Sequence, residues 1–240
     1  MIHRIRERGS ERPTVPEWTR KFSYPGWTNA FHLLPTNNRL YGTETLFGDW
    51  NSQVLLLLKD WGPTGELKLG MTDPHETNPW RHAQRELGDK GGCRTNEGLV
   101  EFASILPGGK LYGSATANML YNEEGWSRAL KGFKSEPLQG FLQRVLQWVL
   151  ESMPRIETVA CCGEEAWYLT CNAIGLSSSA TRFATARDST GPITGTVGAN
   201  KKKITAFPLY HPIAHSKGVT KDKQAQAWRT LGAMLTKSRP

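Results

Sequence analysis

The apolar run Val54-Leu55-Leu56-Leu57-Leu58 is bracketed by Asn51-Ser52 on one side and by Gly62-Pro63 on the other. A short apolar run between turn-forming residues is typical of a β-strand that is buried on both faces. Strands of this kind occur mainly in parallel sheets that helices cover on both sides. The run therefore favours an α/β fold, which requires further strands and helices on either side of it in the chain.

Apolar residues elsewhere in the chain repeat with either strand-like or helical spacing. The further predicted strands are Tyr112 to Leu120, Ile156 to Cys162 and Lys203 to Leu209. The predicted helices are Asn96 to Leu106, Glu136 to Met153, Glu164 to Ile174 (ended by Gly175) and Lys221 to Lys237. Residues 177–200 are expected to hold a hairpin or an ordered loop. Strands that alternate with helices predict an α/β domain, a three-layer α/β/α sandwich around a central, mainly parallel four-stranded sheet.

The chain has 240 residues, which is enough for one domain with a sizeable core. Residues 1–20 are basic and contain proline, so they are expected to form a flexible N-terminal arm. Residues 21–240 are expected to form a single domain. The polar segment 62–94 is longer than a simple connection in a compact domain, so it is either a functional loop or a region whose strands and helices this assignment misses.

Composition restricts the partners and the compartment. Thirty Lys and Arg against 22 Asp and Glu give a formal charge of +8, which favours a polyanion such as nucleic acid. The longest apolar run is too short to span a bilayer, so no membrane association by a spanning helix is expected. The four cysteines form no CxxC pair, which argues against zinc ribbons and iron–sulfur clusters. Cys161 and Cys162 fall in a predicted core strand and are typical of buried thiols in a reducing cytoplasm.

Three polar residues lie at or just after the ends of predicted strands: Asp60, Asn118 and His211. In parallel α/β sheets, ligands bind beyond the carboxyl ends of the strands, so these side chains are candidates for one site. Each also has a structural alternative, since Asp60 and Asn118 suit turns or caps and His211 suits a buried hydrogen bond. His211 and His215 have the i, i+4 spacing of two metal ligands. No third ligand follows at a suitable spacing, so no metal is expected.

Three stretches carry a family resemblance: Leu58-Lys59-Asp60-Trp61-Gly62, Val159-Ala160-Cys161-Cys162-Gly163-Glu164-Glu165-Ala166, and His211-Pro212-Ile213. In this order, over about residues 45 to 236, the chain resembles the uracil-DNA glycosylase superfamily. Trp61 replaces the usual Pro of the first motif, and Ile213 replaces the usual Ser of the late motif. The resemblance is therefore to a divergent branch of that superfamily.

The resemblance implies a monofunctional, hydrolytic enzyme of base-excision repair that needs no metal or other cofactor. Its substrate would be uracil in single- or double-stranded DNA, and its product an abasic site. Asp60 would orient or deprotonate water and stabilise the cationic sugar. His211 would donate a hydrogen bond to the developing oxyanion at the base O2. Asn118 would read the uracil edge with its amide, and Asn122 is a rival for that role.

The resemblance also implies residues that hold the flipped base and the DNA. Trp80 would stack on the base, with Trp61 as a second candidate. Gly62 stands where the most selective uracil enzymes have a bulky Tyr, which implies a pocket with room for 5-substituted uracils. The loop with His215, Ser216 and Lys217 would enter the minor groove and contact DNA. The basic stretch Lys201-Lys202-Lys203, with Lys217, Lys221 and Lys223, is either a phosphate-binding surface or a solvated one.

Three other functions remain open. A related protein would become covalently trapped on uracil-DNA through a loop histidine, His75 or His82. A non-catalytic nucleic-acid-binding protein would use the basic surface alone. A small-molecule α/β hydrolase is less favoured, because the chain has neither a Gly-x-Ser-x-Gly elbow nor a phosphate-loop signature. In each case a monomer is expected.

Overall fold

The structure, a computed structural model, describes residues 15–29, 52–58, 101–102, 105–106, 111–115, 119–121, 134–177, 182–212 and 219–237. The strands are β1 (Trp27–Asn29), β2 (Val54–Leu58), β3 (Leu111–Ala115), β4 (Met119–Tyr121), β5 (Thr158–Cys162), β6 (Ile193–Val197) and β7 (Lys202–Leu209). The α-helices are α1 (Glu17–Arg20), α2 (Glu136–Ser152), α3 (Glu164–Ala173), α4 (Phe183–Thr185) and α5 (Lys221–Lys237). A π-type turn, Ala186–Thr190, follows α4 directly.

Five strands form the main sheet in the order β3-β2-β5-β7-β6. The first four are parallel, as the sequence predicted, and β6 pairs with β7 in the antiparallel direction at one edge. The hairpin expected within residues 177–200 is therefore partly present, with β6 as its first strand and β7 as its second. A mainly parallel α/β sheet is confirmed, with an antiparallel edge strand added to it.

The two faces of the sheet bury separate apolar layers. Leu55, Leu57 and the β5 residues Val159 and Cys161 pack in one cluster with α2 and α3. Residues on the other face of the same strands pack in a second cluster with the α5 residues Trp228 and Leu231, a cluster that includes Val54, Leu56, Leu58, Ala160, Cys162, Phe207 and Leu209. The alternation of side chains along each strand explains this division. The three-layer arrangement follows from it.

The prediction of buried thiols is confirmed for the adjacent cysteines. Cys161 and Cys162 are both buried, one on each face of β5. Burial in an apolar layer disfavours the thiolate, which raises the pKa of Cys162 to about 12 and the pKa of Cys161 well above its usual value. Both side chains therefore act as small apolar core residues, which suits the parallel sheet.

Helix α2 is the clearest case in which sequence pattern dictates structure. Pro137 occupies the first turn, where its missing N–H is harmless. The buried residues recur at helical spacing along one face: Leu138, Phe141, Leu142, Val145, Leu146, Val149 and Leu150. The helix ends at Ser152, one residue before the predicted end. Helices α3 and α5 also match their predicted ranges, α3 to within one residue, and Gly175 after α3 has the positive φ of +77° expected of a helix-ending glycine.

The predicted strand from Tyr112 to Leu120 is wrong beyond Ala115. β3 ends there, and Met119–Tyr121 forms β4, which pairs in the antiparallel direction with β1 and not with β2. The partner strand comes from the N-terminal part of the chain and has only three residues. Such short strands carry too little periodicity for a sequence pattern to reveal.

Residues 15–20 belong to the domain, so the predicted arm of residues 1–20 is too long at its carboxyl end. Val15 and Thr19 are buried, and the Asn29 side-chain amide donates to the backbone oxygens of Thr19 at 2.7 Å and Phe22 at 3.0 Å. The Phe22 ring stacks on Phe141 of α2 with 4.0 Å between centroids. These contacts dock the segment on α2. Residues 1–14 lie outside the described part of the chain.

The helix predicted from Asn96 to Leu106 is described only in part. Residues 101–102 are helical, and Phe102 and Leu106 are buried in the layer beneath α5. The Phe102 ring stacks on Trp228 with 6.0 Å between centroids. Within the ranges that the structure describes, none of the helices has the length and apolar character needed to cross a membrane.

Candidate functional site

The carboxyl ends of the four parallel strands lie in one row across the sheet. Ala115 of β3 pairs with Leu58 of β2, and Cys162 of β5 pairs with Leu209 of β7. The register between β2 and β5 is given by Leu57, which pairs with Cys161. Neighbouring strands are about 4.8 Å apart, so the ends of β3 and β7 are separated by about 14 Å. One nucleobase with its sugar fits within such a span.

The strands that precede Asp60, Asn118 and His211 all end in this row. Leu58 comes two residues before Asp60, Ala115 three residues before Asn118, and Leu209 two residues before His211. His211 is described and is half-buried. The other predicted site residues lie outside the described ranges, and their roles stay predictions: Asp60, Trp61, Gly62, His75, Trp80, His82, Asn118, Asn122, His215, Ser216 and Lys217.

His211 packs against the turn between β5 and α3. The Gly163 N–H donates to the backbone oxygen of Leu209 at 3.0 Å. A Cβ placed on Gly163 would lie 3.9 Å from the Cβ of His211. Gly163 has φ +113° and ψ 174°, a conformation that is almost confined to glycine. This turn therefore brings the chain at His211 close to the central strand of the sheet.

Two carboxylates that the sequence analysis did not assign begin α3 at the same edge. Glu164 is exposed and Glu165 is half-buried, both in the first turn of the helix. Acidic residues in a first turn interact favourably with the helix dipole. They also make this helix end unsuited to phosphate, which distinguishes the edge from a phosphate-binding loop.

A side-chain cluster beside His211 was also missed by sequence reasoning. The Arg187 guanidinium donates through Nε and Nη2 to the two carboxylate oxygens of Asp188, both at 2.8 Å. Its central carbon lies 4.6 Å from the centre of the Tyr210 ring. The hydrogen bond from Arg187 lowers the pKa of Asp188, and the same bond raises the pKa of Arg187. No pattern in the sequence links residue 187 to residue 210, because the contact arises only from the tertiary fold.

The basic stretch at residues 201–203 lies at the far edge of the sheet. β7 begins at Lys202 and runs to Leu209, a length of about 23 Å at 3.3 Å per residue. The Lys202 ammonium donates to the backbone oxygens of Leu150, at 3.0 Å, and Met153 at the end of α2. Lys202 therefore caps a helix, and the stretch lies far from His211. Of the lysines in α5, Lys221 pairs with Glu101 at 3.3 Å.

No protein-family model matches the chain, and comparison with curated proteins gives no significant match. Within the described ranges, no group of three or more His, Cys, Asp or Glu side chains is placed to hold a metal ion.

Proposed function

We propose that the protein is a monofunctional DNA glycosylase that hydrolyses the N-glycosidic bond of flipped-out uracil and leaves an abasic site. The supporting observation is that β2, β3 and β7 end in a common row of the sheet. These ends lie two or three residues before Asp60, Asn118 and His211. The net charge of +8 suits a nucleic-acid substrate.

The chemistry divides between two of these residues. Breaking the glycosidic bond builds positive charge on the sugar and negative charge on the departing base. Asp60 would stabilise the sugar cation and direct the attacking water. His211 would donate a hydrogen bond to the base O2, where negative charge develops. A single well-placed donor of this kind is worth about 10²–10³ in rate.

Base recognition requires a flipped nucleotide, since the reacting atoms are inaccessible within the DNA stack. A side-chain amide such as that of Asn118 matches uracil O4 and N3–H together, and cytosine presents the reverse pattern. An aromatic ring, Trp80 or Trp61, would stack on the base. Because Gly62 has no side chain, it would leave room near C5 of the pyrimidine if it stands where the resemblance places it.

Pro212 is buried, and the segment that follows it would hold the DNA. His215, Ser216 and Lys217 are the residues assigned to that contact. We further propose that the protein acts as a monomer in the cytoplasm, where the buried Cys161 and Cys162 thiols stay reduced.

The function is tested with a uracil-containing oligonucleotide, incubated in EDTA and then treated with hot alkali. Wild type should give strand scission at the uracil position, and both Asp60→Asn and His211→Ala should lower the rate at least about 100-fold. Glu157→Gln and Lys203→Ala are matched controls, because both residues are exposed and lie at the opposite edge of the sheet. These two variants should retain the wild-type rate.

Three outcomes would contradict the proposal. Inactivity of wild type on both single- and double-stranded substrate would exclude hydrolysis of uracil-DNA. Tight DNA binding by wild type without any scission, and equally tight binding by Asp60→Asn, would indicate the non-catalytic binding protein. An adduct that survives denaturation would indicate covalent trapping, with His75→Ala and His82→Ala identifying the attached residue.

A further inference from the structure

Four side chains form a stack that ends at the residue before His211. The Arg187 guanidinium contacts the faces of two aromatic rings, with its central carbon 5.4 Å from the centre of Phe183 and 4.6 Å from the centre of Tyr210. Asp188 holds the guanidinium with two hydrogen bonds of 2.8 Å. A hydrogen bond with Tyr210 also contributes to the lowered pKa of Asp188. We call these four residues the Tyr210 stack.

The Tyr210 stack is anchored in the core at its other end. Phe183 is buried, and its ring lies 6.3 Å from the ring of Trp167, which is fully buried in α3. The backbone between Phe183 and Tyr210 begins with a π-type turn, closed by a 2.7 Å hydrogen bond from the Gly191 N–H to the Ala186 oxygen. Turns of this type are rare and occur frequently at functional sites.

Two separate attachments to α3 therefore fix the chain at His211. One runs from Trp167 through the Tyr210 stack to residue 210. The other runs from Gly163 at the start of α3, which donates to the backbone oxygen of Leu209 and approaches the Cβ of His211. Because the two residues that precede His211, Leu209 and Tyr210, are both tied to this helix, the chain is held where it leads into His211. The bidentate ion pair adds a defined orientation, since Arg187 and a carboxylate meet in one plane.

We propose that Arg187 is a positioning residue, which acts through Tyr210 to hold His211 in place at the carboxyl edge of the sheet. The catalytic consequence rests on the proposed glycosylase function. The position of His211, however, can be measured without any substrate. Misplacement of a catalytic group by about 1 Å can lower a rate about 100-fold, so a small displacement is sufficient for a measurable effect.

The kinetic test uses single substitutions in the stack with uracil-DNA as the substrate. Arg187→Ala should lower kcat about 10- to 100-fold and change KM by less than about twofold. Arg187→Lys keeps the charge over the ring without the planar pairing, so its kcat should lie between Arg187→Ala and wild type. Tyr210→Phe keeps the ring and should be closer to wild type than Tyr210→Leu. Arg155→Ala, at an exposed residue before β5, is the control and should match wild type.

The substrate-free test uses proton–nitrogen correlation NMR of the histidine rings. The chain has six histidines, and the His211 signals are identified by their loss in His211→Gln. Arg187→Ala should shift or broaden the His211 signals, while the other histidine signals stay in place and Arg155→Ala changes none. Arg187→Lys carries the same test if Arg187→Ala does not fold.

The two tests separate the two hypotheses. Unchanged His211 signals in Arg187→Ala, with a lowered melting temperature, would overturn the positioning role and leave Arg187 a stabilising residue only. An unchanged kcat in Arg187→Ala would also overturn it. Wild-type inactivity on uracil-DNA, with shifted His211 signals in Arg187→Ala, would instead overturn the proposed function and support the positioning role.

Discussion

Replacement of Gly163 by Ala tests whether the turn beside His211 is as constrained as its geometry indicates. Gly163 has φ +113° and ψ 174°, a region that residues with a side chain occupy only under strain. The added Cβ would meet the Cβ of His211 at 3.9 Å, which is an ordinary van der Waals contact. Backbone strain, and not a steric clash, is therefore the expected source of the effect.

The magnitude follows from two terms. A residue held in this region costs about 1–3 kcal/mol. If the turn relaxes to relieve the strain, it loses the 3.0 Å hydrogen bond from the Gly163 N–H to the Leu209 oxygen, worth about 1 kcal/mol. We therefore expect Gly163→Ala to lower the free energy of unfolding by about 1–3 kcal/mol. A relaxed turn would also displace His211, so the excision rate of the folded variant should fall.

The assay is urea unfolding followed by far-ultraviolet circular dichroism, with Gly140→Ala as the matched control. Gly140 lies within α2, and a Cβ there would meet nothing within 4 Å. That substitution should raise the free energy of unfolding by up to about 1 kcal/mol, because alanine is the better helix former. A Gly163→Ala protein at least as stable as wild type would refute the reasoning.

Three further predictions concern the helix cap, the ion pair and substrate range. Lys202→Ala should lower the free energy of unfolding by about 1–2 kcal/mol in the same urea assay, because the last carbonyls of α2 lose a charged donor. The control Lys203→Ala should change the free energy of unfolding by less than about 0.5 kcal/mol. The pKa of Asp188 is lowered on folding, so its stabilising pair with Arg187 is present above about pH 4 and is lost as the pH falls further. The drop in melting temperature from about pH 5 to about pH 3 should thus be smaller in Asp188→Asn than in wild type, and an equal drop would contradict this. The absence of a side chain at Gly62 predicts release of 5-hydroxymethyluracil as well as uracil, measured by chromatography of the freed bases, and undetectable turnover of the larger base would count against it.

The parts of the fold that the sequence predicted have strong local patterns. The run from Val54 to Leu58 is apolar on both faces because it lies between β3 and β5 in the parallel part of the sheet and contributes to both core clusters, so every residue of the strand is apolar. The face of α2 repeats over 17 residues, long enough to define a helix without tertiary information. The start and end of α5 were predicted to the residue for the same reason.

The parts that were missed depend on contacts between distant segments. β1 and β4 have three residues each, and their pairing becomes visible only when the N-terminal segment is docked on α2. The contact between Arg187 and Tyr210 joins residues that are 23 positions apart in the sequence. Arg187 lies in an irregular turn, and such a turn has no periodic sequence pattern that would predict the contact. The candidate site was predictable only as a set of residues after strand ends. Of the two residues proposed to be catalytic, His211 lies within the described residues, and Asp60 remains a prediction from the sequence.

Direct detection of the freed base is the measurement closest to the central claim, that groups after the parallel strands of one sheet act together on one glycosidic bond. Mass spectrometry of the reaction in EDTA should show free uracil from wild type, with the DNA strand intact until alkali is added. The amount released should fall at least about 100-fold in His211→Ala and remain unchanged in Lys203→Ala. A cut strand without free uracil, or equal release by wild type and His211→Ala, would contradict the claim.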